Sequence, residues 1–265
     1  MAKRASIVTG LAVTLVLTAL TPQPAPASAE QRFRGDYSVS LWGMTIGRST
    51  FRSSIEGDRF EVKGTVSSAG LAKVFDSTSG AVSVAGRTTG DAVRPTSYRM
   101  NYRSGRRSKA LEIDFSGERV SRTEITPQPK PRGKNWVALD KGDLARVTDP
   151  LSSSLVKAGN LEEVCTKTLR IYDGQSRMDL KLARAGRGPV SVEGYSGDAI
   201  TCTASFAPRS GYREGDSTVE FLKDRANIRL VFAPLGQTGL YAPVRAAIDT
   251  KIGTVTVRAE RFGAE

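Results

Sequence analysis

Residues 30–265 read as a mainly β fold: a single antiparallel sheet that curls into a spiral or incomplete barrel, with one or two short helices near 70–75 and 149–158. Three observations predict it. Apolar and polar residues alternate with a period of two through most of the chain, Gly and Asp-Gly turns separate the runs at short intervals, and capped segments of helical period are few. Many short strands with turns between them mark a sheet that curls or closes.

The first run places Phe33, Gly35, Tyr37, Val39 and Leu41 on one face and Arg34, Asp36, Ser38 and Ser40 on the other, a half-buried strand. Residues 44–51 continue after the Trp42-Gly43 break, and 60–66 answer them across the Glu56-Gly57-Asp58 turn as a hairpin. The style recurs at 81–88, 95–103, 108–115, 118–125, 166–172, 175–184, 190–194, 200–206, 217–222, 227–233 and 241–258, the last with a break near Thr250. Helical signals are confined to two places. Leu71, Val74 and Phe75 have the spacing of one helical turn. Over 149–158, Asp149 can cap free amides, Pro150 suits the first helical position, Leu151 and Leu155 lie a turn apart, and Gly159 can close the helix in a left-handed conformation. A short apolar helix among strands either plugs the sheet as core or gates a ligand cavity, and both readings stay open.

The first 29 residues carry an address. Lys3 and Arg4 precede an uncharged run over 5–20, and Pro22, Pro24 and Pro26 lead to Ala27-Ser28-Ala29, the pattern of a signal peptide cut before Glu30. That run is short for a membrane span. The expectation is an exported, periplasmic protein with one domain over 30–265, about 236 residues, a size that single β domains reach.

The formal charge is +12, and Lys3 and Arg4 account for two of it, leaving +10 on the exported part. Outside the inner membrane the anionic partners are phospholipid headgroups, lipopolysaccharide phosphates and acidic polymers. The plain alternative is that Lys and Arg decorate the polar faces of many strands. Nucleic acid is not expected, since export removes the usual target and no aromatic-rich basic motif is present. Cys165 and Cys202 are the two cysteines, and an oxidising compartment makes their disulfide the default, closing a loop of about 38 residues.

The sequence contains no histidine, which removes Ser-His-Asp and Cys-His catalysis and the commonest zinc ligand. No P-loop, dinucleotide fingerprint or EF-hand loop occurs, so no cofactor or metal is expected. Glu162 with Glu163, and Asp173 with Asp179, are carboxylate pairs by arithmetic alone. Neighbours in a strand point to opposite faces, so the first pair does not converge if extended. Ser154-Leu155-Val156-Lys157 matches a Ser-x-x-Lys spacing without the companion motifs of penicillin-recognising enzymes. The expectation is that the protein is not an enzyme.

Several short stretches together carry a family likeness: the leader, Tyr37-Ser38-Val39 followed by Gly43 and Gly47, Asp149-Pro150-Leu151-Ser152, Ile171-Tyr172-Asp173-Gly174, and the Cys202 strand ending near Gly211-Tyr212. In their order and separations the chain resembles an uncharacterised periplasmic family, domain of unknown function 3108. The resemblance covers nearly all of the exported part and implies a secreted, β-rich envelope protein. It brings no catalytic residues. More distantly, the chain is similar in fold to lipoprotein carriers, whose curved sheet surrounds an apolar cavity.

A curled sheet encloses a space that side chains fill or leave for a ligand. Phe33, Tyr37, Leu41, Ile46, Phe51, Phe60, Val62, Leu111, Ile113, Phe115, Phe206, Phe221, Ile228, Leu230 and Phe232 are the candidate inner-face groups. Arg103, Arg106, Arg107 and Lys109 around Gly105 form a candidate basic rim for a phosphate or acidic partner, or else a solvated hairpin turn. The leading expectation is an envelope protein, chaperone-like or maintaining the envelope, that binds a lipid, a lipoprotein or a hydrophobic peptide. An interaction protein with a filled core and a basic outer face comes second. A carboxylate or Ser-Lys envelope hydrolase comes third.

Overall fold

Two-residue alternation with glycine turns does build one large sheet. The structure, a computed structural model, describes residues 29–70 and 77–265, so the predicted leader and the predicted turn over 70–75 lie outside the described residues, apart from Ala29 and Gly70. Seven strands form a meander: β1 Gln31–Leu41, β2 Met44–Glu56, β3 Arg59–Ser68, β4 Thr78–Thr89, β5 Ala92–Ser104, β6 Arg107–Ser116 and β7 Arg119–Thr126. The second half supplies β9 Val156–Lys157, β10 Thr168–Tyr172, β11 Arg177–Val192, β12 Tyr195–Ser210, β14 Ile228–Pro234, β15 Leu240–Thr250 and β16 Gly253–Ala264. Two further short strands, β8 Trp136–Val137 and β13 Tyr212–Arg213, pair only with each other.

Fourteen strands share one antiparallel sheet in the order β10-β11-β12-β14-β15-β16-β1-β2-β3-β4-β5-β6-β7, with β9 added alongside β15. The first and last strands therefore meet in its middle, Tyr37 opposite Ala259 and Val39 opposite Val257. The sheet does not close by a continuous ladder. Its free edges, β10 and the start of β7, are linked by residues 144–148, which bond to both. Val120 N donates to Leu144 O (3.0 Å) and Arg146 N to Glu118 O (2.6 Å) on one side; Thr148 N donates to Arg170 O (2.9 Å) and Tyr172 N to Thr148 O (2.9 Å) on the other. An unpaired edge exposes a row of N–H and C=O groups, and this irregular segment satisfies part of both rows.

Pairing register carries one face across the meander. Phe51 lies beside Gly64, Val62 beside Val84, Val84 beside Tyr98, and Tyr98 beside Ile113. Of these, Val62, Val84, Tyr98 and Ile113 are buried. Gly64 is required there, because a Cβ would sit 2.4 Å from the Phe51 ring. A second apolar cluster surrounds the disulfide, with Val164, Leu182, Ile200, Ala204, Ile228 and Phe232. Of the candidate inner-face groups, Phe33, Phe60, Val62, Leu111, Ile113, Ile228 and Phe232 are buried, and Tyr37, Phe51, Phe115, Phe206 and Leu230 pack half-buried against the two clusters.

Three expectations change. The runs predicted as separate strands over 175–184 and 190–194 are one strand, β11, paired along its length with β12. The run predicted as a strand over 217–222 is a helix, Ser217–Asp224. Asp216 sets it, its side chain accepting from Thr218 N (2.9 Å) and Val219 N (3.1 Å), with Lys223 in the last turn facing the negative helix end. The helix predicted over 149–158 shrinks to one 3-10 turn, Ser152–Ser154. Ser153 Oγ donates to Pro150 O and Ser154 Oγ to Leu151 O, both at 2.7 Å, and side-chain bonds of this kind compete with helix propagation. Leu155 is already extended, and Val156 and Lys157 pair with Tyr241 and Leu240. Gly159 is not left-handed; its N–H donates to Glu163 Oε2 at the start of the short helix Leu161–Val164.

Cys165 and Cys202 form the predicted disulfide, Cα atoms 5.5 Å apart and both residues buried. It ties the end of the Leu161–Val164 helix to the middle of β12. For a closed loop of this length, replacing both cysteines by Ala is expected to lower unfolding free energy by about 3 kcal/mol. Guanidinium unfolding of the two forms checks this, and a difference under about 0.5 kcal/mol would contradict it.

Candidate functional site

The 3-10 turn sits over an opening in the apolar interior. Asp149 holds it in place: the residue is 0% exposed, and its Oδ1 accepts from Leu151 N (2.9 Å) and Ser152 N (2.8 Å), the capping role read from the sequence. Pro150, Leu151 and Leu155 then cover a cavity of about 250 Å³. The opposite wall comes from Phe33, Tyr37, Phe51 and Val62 on β1 to β3, with Val257 and Phe262 on β16 and Leu235 between β14 and β15. Tyr37 donates its hydroxyl to Pro243 O (3.0 Å), and its ring meets Phe51 edge-on at 5.8 Å. Burial pushes the Tyr37 phenol well above its ordinary ionisation range, so it stays neutral. Ser53 and Ser154 are polar lining groups, and Arg34 at the wall is held by Asp36 at 2.9 Å. The site is thus an apolar slot with few polar groups.

Apart from Ser154, which lines it, the other residues singled out by sequence do not converge on this slot. Arg103, Arg106, Arg107 and Lys109 flank the β5–β6 turn, at the rim of the sheet rather than of the cavity; among the described residues none of them forms an ion pair. Ser154 Oγ bonds Leu151 O while Lys157 Nζ donates to Thr238 O (2.8 Å), so the two do not address each other. Glu162 pairs with Arg184 at 2.8 Å, and Glu163 accepts from Gly159 N and Asn160 Nδ2. Asp173 caps its own turn through Gln175 N and Ser176 N. Burial alone would raise the Asp179 carboxyl, but hydrogen bonds from Arg209 and Arg177 outweigh it and leave it below the usual carboxylate range. Among the described residues no group of three or more potential metal ligands gathers.

Sequence reasoning missed part of the wall. Val257 and Phe262 reach the cavity through the meeting of β16 with β1, and Leu235 from the β14–β15 connection, long-range contacts that local patterns do not show. It also missed a groove of about 580 Å³ between β11 and β14–β16, bordered by Arg229, Arg245 and Arg258. Arg245 and Arg258 stand directly opposite each other, an unfavourable like-charge pair.

Fold and slot together define a class: a barrel-like, open antiparallel sheet around an apolar interior, closed on one side by a short plug. Its family follows from comparison. The chain belongs to the family described as "Protein of unknown function (DUF3108)", whose model matches residues 36–260. No curated protein matches it. Among solved structures it is similar to a beta-barrel-like protein of domain of unknown function DUF1849 from Brucella abortus, at 9% identity and a TM-score of 0.50, covering 89% of this chain and 98% of that one. At that identity the likeness shows the fold alone. A "putative lipoprotein" from Parabacteroides distasonis matches at 10% identity and a TM-score of 0.30, over 89% of this chain and 96% of that one, too loose a likeness to carry an argument.

Burial raises the Asp149 carboxyl from 3.8 to about 6, against the pull of its backbone N–H bonds. The folded chain therefore holds this proton more tightly than the unfolded one. Asp149 stabilises the fold most below pH 4, and that contribution fades as pH rises through about 6. Asp149→Asn keeps the Oδ1 acceptor and removes the titration. Its stability relative to the wild type is expected to improve by on the order of 3 kcal/mol between pH 4 and pH 7, read from urea unfolding at both values. A difference that does not change with pH would contradict the assignment.

Proposed function

We propose that this protein is a periplasmic envelope protein that holds one apolar chain, the acyl group of a lipid or of a lipidated partner, in the slot beneath the 150–155 plug. The cavity carries the reading. Apolar cavities of about 150 Å³ already take a benzene-sized molecule, whereas pockets for larger ligands run to roughly 300–1,000 Å³. At about 250 Å³ the slot suits a single short hydrocarbon segment and no complete two-chain lipid unless the plug moves. Roughly eight methylenes, each contributing about 0.8 kcal/mol on burial, supply about 6 kcal/mol from which the cost of association is subtracted, so binding is expected to be weak and reversible.

Support for the address comes from the leader-like residues 1–29 and the buried Cys165–Cys202 disulfide, which suits an oxidising compartment. Binding rather than catalysis is supported by the separate engagements of Ser154, Lys157 and the candidate carboxylates. A second reading, an interaction protein acting through its basic outer surface, is favoured by Arg229, Arg245 and Arg258, which form no ion pair among the described residues.

Mass spectrometry of the protein purified under native conditions from cell envelopes is expected to show a one-to-one adduct carrying an acyl chain. The delipidated protein is expected to bind a fluorescent medium-chain fatty acid. Ser53→Phe, which fills the slot from β2, is expected to weaken that binding at least about tenfold, a loss of about 1.4 kcal/mol. No adduct and no fatty-acid binding would sink the proposal.

A further inference from the structure

One end of the sheet gathers what a soluble surface usually keeps apart. Trp42 is 67% exposed, Met44 51% and Ile252 64%, and Val66 and Tyr102 are also exposed. These are the large hydrophobic residues that stand exposed among those described, and pairing register brings all five to the same end. Leu41 lies opposite both Met44 and Val255, which sets the β1–β2 turn beside the β15–β16 turn. Gly47 pairs with Ser68, Ser67 with Ser79, and Thr78 with Ser104, which carries the same end across to the β5–β6 turn.

Trp42 is set there at a cost. It occupies, with Gly43, a two-residue turn in which both residues have positive φ, 52° and 78°. Asn or Gly ordinarily takes the first position, and a bulky side chain in the left-handed region is disfavoured. Its indole lies against Gly253 of the neighbouring turn, where a Cβ would come within 2.4 Å of Nε1. Trp42 and Ile252 therefore form one exposed patch. Neither is buried in the core, so stabilising the fold does not account for them.

Among the described residues the cations of this end form no ion pair with an acid. Arg103, Arg106 and Arg107 are exposed and Lys109 is half-buried, and none forms an ion pair among the described residues. Lys251 Nζ bonds the neutral Ser217 Oγ at 2.9 Å and also feels the Asp216 carboxylate, whose hydrogen bonds are spent on capping the helix that follows. The nearby Asp249 is engaged by Thr254 and Asn227. Val66 and Tyr102 share the inner face of the sheet with buried Val62 and Tyr98, so the apolar lining runs out to this rim.

We propose that this end of the sheet docks on an anionic lipid bilayer, with Trp42, Met44 and Ile252 entering the interface and Arg103, Arg106, Arg107 and Lys251 facing the headgroups. Indole favours the headgroup level of a membrane, and basic side chains are drawn to anionic lipid. Apolar residues on separate hairpin tips suit a plane, whereas a peptide partner needs a groove. This surface stands apart from the acyl slot and docks whether or not the slot is filled.

The test uses the exported chain, residues 30–265, and sedimentation with phosphatidylcholine vesicles with and without phosphatidylglycerol. Trp136→Phe leaves Trp42 as the fluorescent reporter. Binding is expected only with phosphatidylglycerol, with a blue shift of Trp42 emission. Arg106→Ala with Arg107→Ala is expected to weaken binding roughly thirtyfold, and Trp42→Ser with Ile252→Ser at least about tenfold, without a change in thermal midpoint. Arg59→Ala with Arg87→Ala, at the opposite end, is expected to leave binding unchanged. Absence of binding at low salt, an emission maximum that does not move, or an equal loss from the opposite-end pair would overturn the proposal. Fatty-acid binding by the same variants is expected to persist, which separates this failure from failure of the slot.

Discussion

The pairing of β1 with β16 is the constraint on which the rest of the structure depends. It joins a meander folded from the first half to strands from the second, and it sets which residues of each reach the interior. The ladder shifts between Asp36 and Tyr37, so Tyr37 faces Ala259 and Gly35 faces Phe262. A slip by one residue would turn Tyr37 and Phe262 away from the slot and bring Arg258 and Arg261 toward it. The bulge thus does more than bend a strand: it aligns two apolar sets that would otherwise be out of phase.

With the middle fixed, the sheet must still manage its ends. The free edges are linked by backbone from 144–148, and the chain passes directly from that link into Asp149 and the plug. Seam and plug are therefore one continuous piece. The buried Asp149 carboxyl sits at the joint between the edge link and the plug. On the far side of the plug, β9 and the disulfide cluster anchor the chain again. The arrangement gives a small interior covered on one side by a segment held at both ends.

Much of the fold was legible because its signals are local. Alternation from Phe33 to Leu41, the Glu56-Gly57-Asp58 hairpin, the Asp173-Gly174 turn and the Asp149 cap each follow from a few adjacent residues. Residues 217–222 misled because Val219, Phe221 and their polar neighbours alternate like a strand, while the deciding group, Asp216, lies one residue earlier. The run after Pro150 misled in the opposite sense: a good cap and Leu151 with Leu155 spelled a helix, and three serines ended it after one turn. The slot itself was only half visible. Phe33, Tyr37, Phe51, Val62, Leu151 and Leu155 were candidates from sequence, whereas Leu235, Val257 and Phe262 join them through long-range contacts. Likewise the basic residues around Gly105 were visible as a cluster, but their place beside Trp42 and Ile252 depends on register across six strands.

The space beneath 150–155 is proposed to hold hydrocarbon. A crystal structure of the protein grown with a medium-chain fatty acid tests it most directly. The expected result is continuous density running from Phe262 and Val62 toward Leu155, with Tyr37 still bonded to Pro243. A slot unchanged and empty at saturating ligand, or one closed by inward movement of Leu151 and Leu155, would contradict it.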